Sequence, residues 1–159
     1  MNVSYDLRER RKFFDNYGSR SNEQAAGAPP RGGRLTCPCC GYPTLGGRGE
    51  YEICYLCNWE DDGQDTNNAD EIWGGPNKNY SLVQARDNFE LYLVMYPPEE
   101  DTRIGGADSE RVREIKRRII DAYSQMIESR SPDEIGALWK IVYEGERALK
   151  QELQRRIFS

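Results

Sequence analysis

The residues best suited to chemistry in this sequence are four cysteines in two pairs, Cys37-x2-Cys40 and Cys54-x2-Cys57, separated by thirteen residues. A two-residue spacing lets one tight turn offer both sulfurs to one ion, and two such turns complete a tetrahedron. Gly41 follows the first pair, where a turn needs conformational freedom and backbone N–H groups must be left to point at sulfur. The pattern predicts a two-knuckle zinc ribbon. Zinc is the expected metal, and a rubredoxin-type iron uses similar ligands. Four thiolates leave no open coordination position for water or substrate, so the expected role is structural, with no catalytic residue assigned. Cys39 is a fifth cysteine inside the first pair. It reads as a small residue pinned in the knuckle, with two other roles open: a ligand replacing Cys40, or a reactive thiol beside the metal.

Three further clusters have simpler explanations than chemistry. Glu60, Asp61, Asp62 and Asp65 offer hard oxygen donors for Mg²⁺ or Ca²⁺, but lack the glycine and closing glutamate of an EF-hand. They read as a solvated acidic loop which, with Trp73, forms a candidate surface for a basic cleft on a partner. Gly74-Gly75-Pro76-Asn77 lacks the Lys-Ser/Thr ending of a phosphate loop and reads as a turn packing Trp59 and Trp73 near the ribbon. Arg111, Arg113, Lys116, Arg117 and Arg118 are interleaved with acids, Glu114 standing four residues before Arg118. They read as a solvated helix face without the aromatic interleaving of a nucleic-acid binder.

Composition narrows the function classes. The 159 residues contain no histidine, which removes His-containing zinc sites and His-based nucleophilic pairs. Residues 1–36 carry net charge +3, residues 37–80 carry −6 and residues 81–159 carry −2. An acidic metal module repels phosphate backbones, so nucleic acid is not its expected partner. No apolar run is long enough to span a membrane, and the amino terminus does not read as a secretory signal. A cytoplasmic protein follows as the expectation, in a compartment that keeps thiols available to metal.

The elements that must position these residues are legible from periodicity. Residues 5–17 predict a short helix with Ser4 as N-cap and Phe13, Phe14 and Tyr17 as anchors, followed by a flexible Gly/Ser/Ala/Pro linker over 18–34. Glu50-Tyr51-Glu52-Ile53 alternates as a half-buried strand. Ser81 and Gln84 form a capping box for a helix with Leu82, Ala85, Phe89, Tyr92 or Leu93, and Tyr96 on one face, ended by Pro97-Pro98. A second helix from about Ser109 to Ser129 carries a Val112, Ile115, Ile119, Tyr123, Met126 stripe. A third follows the Ser131-Pro132-Asp133-Glu134 cap, with Ile135, Leu138, Val142, Leu149 and Leu153 inward. The short connection predicts an antiparallel hairpin. Trp139 and Ile141 lie off the main stripe, leaving apolar surface for the ribbon helix or another protein.

The cysteine block resembles the bacterial cysteine-rich CPCC family. The likeness rests on Cys37-Pro38-Cys39-Cys40-Gly41-Tyr42, on Tyr51-Glu52-Ile53-Cys54 with Cys57 and Trp59-Glu60-Asp61-Asp62-Gly63, and on Gly74-Gly75-Pro76-Asn77 before Ser81-Leu82 and Ala85-Arg86. It covers about residues 35–97. It implies a zinc-ribbon-like module, and the family's toxin-associated members imply an antitoxin or immunity role.

The expected fold is therefore α+β: a small four-cysteine zinc ribbon with a short β-hairpin, then a helix and a C-terminal antiparallel helical hairpin. The expected units are 1–34 (helix and linker), 35–98 (ribbon with helix) and 99–159 (hairpin). The expected function is a non-enzymatic, zinc-stabilised module binding a protein partner such as a toxin. The alternatives are a nucleic-acid-associated regulator using the basic helix 110–129, and a metal-dependent hydrolase using the acidic loop 60–65.

Overall fold

The computed structural model describes residues 5–21, 34–129 and 131–158. The expected Ser4 cap and the linker segment 22–33 lie outside the described residues. Helix α1 spans Leu7–Ser21, further than sequence predicts. Asp6 caps it: its Oδ1 accepts from the Glu9 N–H at 2.8 Å, while Glu9 reaches back to the Asp6 N–H. Of the expected anchors, Phe14 is buried and Phe13 packs against the core beside it, while the Tyr17 side chain lies outside the described ones.

Strands β1 (Leu35–Thr36) and β2 (Pro43–Leu45) pair antiparallel around the first knuckle, Leu35 opposite Leu45. The strand expected over Glu50–Ile53 is reduced to an isolated bridge between Ile53 and Glu60. Tyr51 adopts a left-handed φ of 61°, which breaks the extended repeat a ladder requires. The α+β class with a short two-stranded hairpin and a helical hairpin is therefore the observed one.

Helix α2 spans Leu82–Tyr92 and starts in the expected capping box: Ser81 Oγ accepts from the Gln84 N–H, and Gln84 returns to the Ser81 N–H. It stops four residues before the expected end, because Leu93 takes the left-handed cap conformation. Residues 93–96 then run on as a buried segment rather than a helical turn. Asn88 Nδ2 donates to the Met95 carbonyl at 2.8 Å, and Lys116 Nζ donates to the Leu93 carbonyl at 2.8 Å. Those side chains replace the backbone partners that the helix gives up.

Helices α3 (Glu110–Glu128) and α4 (Pro132–Phe158) form the antiparallel hairpin. Ser109 caps α3, and the whole predicted stripe of Val112, Ile115, Ile119, Tyr123 and Met126 is buried. Gly145 permits the close approach of α4, since a β-carbon there would lie 2.5 Å from Ile119 Cγ1. Trp139 is buried against Tyr123, whereas Ile141 stays 40% exposed, so the wider apolar surface of α4 is only partly used.

Tyr123 joins the hairpin to the cysteine block. Its ring stacks on Tyr42 at 4.9 Å and 17°, meets Phe14 of α1 edge-on at 5.3 Å, and its hydroxyl hydrogen-bonds Tyr55 at 3.0 Å. Tyr42 and Tyr55 belong to the two knuckles. Aromatic pairs of this kind contribute about 0.5–1.5 kcal/mol each beyond area burial.

The basic run on α3 is not a free solvated face. Lys116 is 2% exposed and its Nζ lies 2.5 Å from Asp108, which also pairs with Arg103 at 2.8 Å. Arg113 and Arg117 both reach Glu110, at 3.0 and 3.1 Å. Glu114 stands 3.9 Å from Arg111, a partner on the opposite side of it from the expected Arg118. Burial alone would raise the Asp108 carboxyl, but Lys116 and Arg103 outweigh it and hold it below the usual range.

Removing one partner of a buried pair strands the other charge. Lys116→Met is expected to cost about 3 kcal/mol in urea unfolding at neutral pH, with the Leu93 carbonyl also orphaned. Because the folded Asp108 pKa is lowered, its contribution is fully present above the usual carboxylate range and is lost as pH falls below it, through the folded value. The stability gap between wild type and Lys116→Met should accordingly narrow as the protein is titrated into acid.

Candidate metal centre

Each cysteine pair sits in the same local turn. In the first knuckle the Cys37 N–H donates to the Tyr42 carbonyl at 2.9 Å, and the Gly41 N–H to the Cys37 carbonyl at 2.8 Å. In the second, the Cys54 N–H donates to Trp59 and the Asn58 N–H to Cys54, both at 2.9 Å. The turn demands a left-handed residue behind the second cysteine, and Gly41 (φ 80°) and Asn58 (φ 72°) fill equivalent places. Glycine and asparagine are the residues that tolerate this conformation at least cost. Gly41 carries a second constraint that the turn alone does not reveal: a β-carbon there would lie 2.7 Å from Leu7 Cδ1 of α1.

The two turns bring the four predicted sulfurs together. All four lie within 4.8 Å of one another, with Cys37–Cys57 at 3.6 Å and Cys40–Cys54 at 3.7 Å. A tetrahedral ion with metal–sulfur bonds of about 2.3 Å requires sulfur–sulfur edges of about 3.8 Å. The donor set thus fits one thiophilic ion, and it is the one group of metal-ligand type among the described residues. The sulfurs also accept polar hydrogens, as the turn geometry foretold: Cys39 N–H to Cys37 Sγ and Trp59 N–H to Cys57 Sγ at 3.4 Å, and Thr44 Oγ1 to Cys54 Sγ at 3.1 Å. Cys39 itself is buried, outside the tetrad.

All four ligand side chains are inaccessible to solvent. Burial pushes the thiols of Cys37, Cys40 and Cys57 up, whereas at Cys54 burial is outweighed by hydrogen bonds from the other three sulfurs, which hold it low. Four thiolates in such a place need a cation to compensate them. A metal held by Cys37, Cys40, Cys54 and Cys57 would cross-link the two knuckles.

The backbone of both knuckles is anchored from outside, by residues to which sequence reading gave no such role. Arg10 of α1 is 1% exposed; its Nε donates to the Cys40 carbonyl at 2.8 Å, and its guanidinium lies 5.0 Å from the Tyr42 ring centre. Glu90 of α2 pairs with it at 3.0 Å. Arg86 of α2 donates through Nε to the Pro38 carbonyl at 2.9 Å. The second knuckle is held by the Met95 N–H, 2.8 Å from the Cys57 carbonyl. One signal for Arg10 was available: it shares the helical spacing of Leu7 and Phe14, so a charge falls on the apolar face of α1.

The acidic loop behaves differently from the expected solvated surface. Asp61 is fully buried and accepts from Arg48 Nε at 2.8 Å and from the Gly49 N–H at 2.7 Å. Asp65 receives both Arg11 nitrogens at 2.6 and 3.0 Å, together with Arg48 at 2.8 Å. Burial opposes ionisation of Asp65, but hydrogen bonds from Arg11 and Arg48 hold its carboxyl well below the usual range. Both carboxylates are thus engaged by arginines. Glu60 and Asp62 are half-buried, and Asn77 ties them down by bonding the Glu60 backbone in both directions and reaching the Asp62 carboxylate. The Gly74-Gly75-Pro76-Asn77 turn therefore serves to deliver Asn77, with both glycines at positive φ. Of the two tryptophans expected near the ribbon, Trp59 is fully buried and Trp73 remains 47% exposed.

The sequence model of the family described as Cysteine-rich CPCC matches residues 35–109. The resemblance drawn from the motifs is borne out over that segment, which takes in both knuckles, α2 and the approach to α3. No curated protein and no solved structure matches the chain. Among the described residues no helix is long and apolar enough to cross a membrane.

Substitutions within the CPCC motif separate its cysteines. Cys54→Ser should lose stoichiometric metal binding and lower the melting temperature by on the order of 10 °C, because binding at such sites is coupled to folding. Cys39→Ser should retain full metal content by elemental analysis, since its sulfur is outside the tetrad.

Proposed function

We propose that this chain is a zinc-stabilised, non-enzymatic protein-binding module of the immunity or antitoxin type, working in a reducing compartment such as the bacterial cytoplasm. The observation that carries the reading is the pairing of a fully buried four-sulfur tetrad with an acidic loop whose Asp61 and Asp65 are neutralised from within. Buried thiolates offer no coordination position to a substrate. Carboxylates held by arginine forks have no lone pairs left to activate water or hold Mg²⁺. What the module presents outward is its shape and surface chemistry, and the toxin-associated character of the CPCC likeness favours a protein as what that surface meets.

Zinc is the metal of this reading. Four thiolates in tetrahedral array suit zinc and iron alike, and a structural role without redox demand favours zinc. Protein purified under reducing conditions should contain one equivalent of zinc by elemental analysis. Red colour and stoichiometric iron would replace that assignment. For the partner, co-expression with the product of the adjacent gene should yield a complex that co-elutes in size-exclusion chromatography. A monodisperse chain that captures nothing would count decisively against the binding role.

A further inference from the structure

The ribbon and the loop after it expose large apolar side chains that the core does not use. Tyr51, Ile53, Ile72 and Trp73 are 59, 52, 55 and 47% exposed. The first two flank the bridge to Glu60 and Asp61, through Ile53 opposite Glu60 and the Tyr51 N–H donating to the Asp61 carbonyl at 2.9 Å. Trp73 reaches the same place from the other side: a β-carbon at Gly63 would lie 3.9 Å from its ring, and one at Gly49 would lie 3.8 Å from Gly63. Trp73 Nε1 donates to Glu71 at 3.1 Å, which fixes the ring's orientation. Tyr51 adds an anomaly of its own. It is a bulky aromatic in the left-handed region, a conformation that costs a non-glycine residue free energy and recurs at functional positions.

The sequence around this face is predominantly acidic, with Arg48 at its border already paired to Asp61 and Asp65. Residues 49–77 contain eight acidic side chains and no basic one. Asp61 and Asp65 are consumed internally, leaving Glu50, Glu52, Asp70 and Glu71 exposed in the same segment, Glu71 in contact with Trp73. The backbone of 50–53 pairs toward Glu60 and Asp61 through that isolated bridge, so Tyr51 and Ile53 are held beside the acidic segment.

We infer that this face docks a segment of a protein partner, rich in lysine or arginine and carrying apolar side chains between them. Tyr51 and Trp73 receive the apolar side chains, and the exposed acids Glu50, Glu52, Asp70 and Glu71 select for positive charge. Exposed aromatics that pair with complementary groups on a partner are the residue types that dominate binding energy. The inference rests on the protein-binding role proposed above and adds to it the location and the partner's chemistry.

A library of random peptides of about twelve residues, displayed on phage and selected against the zinc-loaded full chain, tests it without knowledge of the partner. The expected consensus alternates Lys or Arg with apolar residues, and a synthetic consensus peptide should shift Trp fluorescence to the blue. Trp73→Ala leaves the charge of the face unchanged and should weaken the peptide at least about tenfold. Tyr51→Gly should weaken it similarly while keeping an unchanged or higher melting temperature, because glycine accepts the left-handed backbone. A neutral or acidic consensus, or binding indifferent to both substitutions, would overturn the inference. If a co-expressed partner binds both variants as tightly as wild type, this face is the wrong one while the binding role stands.

Discussion

Bringing four sulfurs to within a few ångströms of each other in a dry interior is the constraint that organises this protein. Each sulfur must be delivered by backbone that is itself short of hydrogen-bond partners, and the ion that compensates them cannot order loops that are free to drift. The structure answers with two copies of one turn, each closed by paired backbone hydrogen bonds, and with side chains from both flanking helices capping the remaining carbonyls. Arg10 and Arg86 hold the first knuckle, and the Met95 N–H holds the second. The arginines also bring positive charge beside a site that would carry net negative charge when loaded, which lowers the cost of burying it.

From those anchors the rest of the architecture follows. Met95 can reach Cys57 only because α2 ends at Tyr92, and the segment beyond it stays in place because Lys116 and Asn88 satisfy its carbonyls. Tyr42 and Tyr55 carry the knuckles into contact with Tyr123, so the helical hairpin is packed onto the cysteine block through aromatic rings. Arg34 reinforces the same junction, with a two-pronged contact to Glu146 and its guanidinium over Trp139 and Tyr143. The consequence is that the four sulfurs are closed off from solvent, so a metal held there would sit inside the core.

Charge is sorted in the same way. Asp61 and Asp65 would repel each other and their neighbours if left alone, and Arg48 bridges them while Arg11 ties α1 to the loop. The remaining acids share the segment 49–77 with the exposed Tyr51, Ile53, Ile72 and Trp73, and that segment contains no basic residue. An acidic, aromatic face of that kind is a poor neighbour for nucleic acid and a good one for a cationic protein segment.

What the sequence determined by itself was local. The sulfur ligands followed from spacing, because a two-residue gap is a property of one turn. The Ser81 cap followed from residue types three apart, and the buried stripe of α3 from periodicity, because a helix meets its core at fixed intervals. Tertiary structure alone decided the partners of charged groups. Nothing adjacent to Lys116 in sequence announces the Leu93 carbonyl, and nothing near Asp65 announces Arg11, fifty-four positions away. Charge carries no periodicity, so a salt-bridged interior acid and a solvated one look alike in a chain. The division between Asp61 and Asp65, turned inward, and Trp73, left outside, was settled by which side chains the folded knuckles brought within reach.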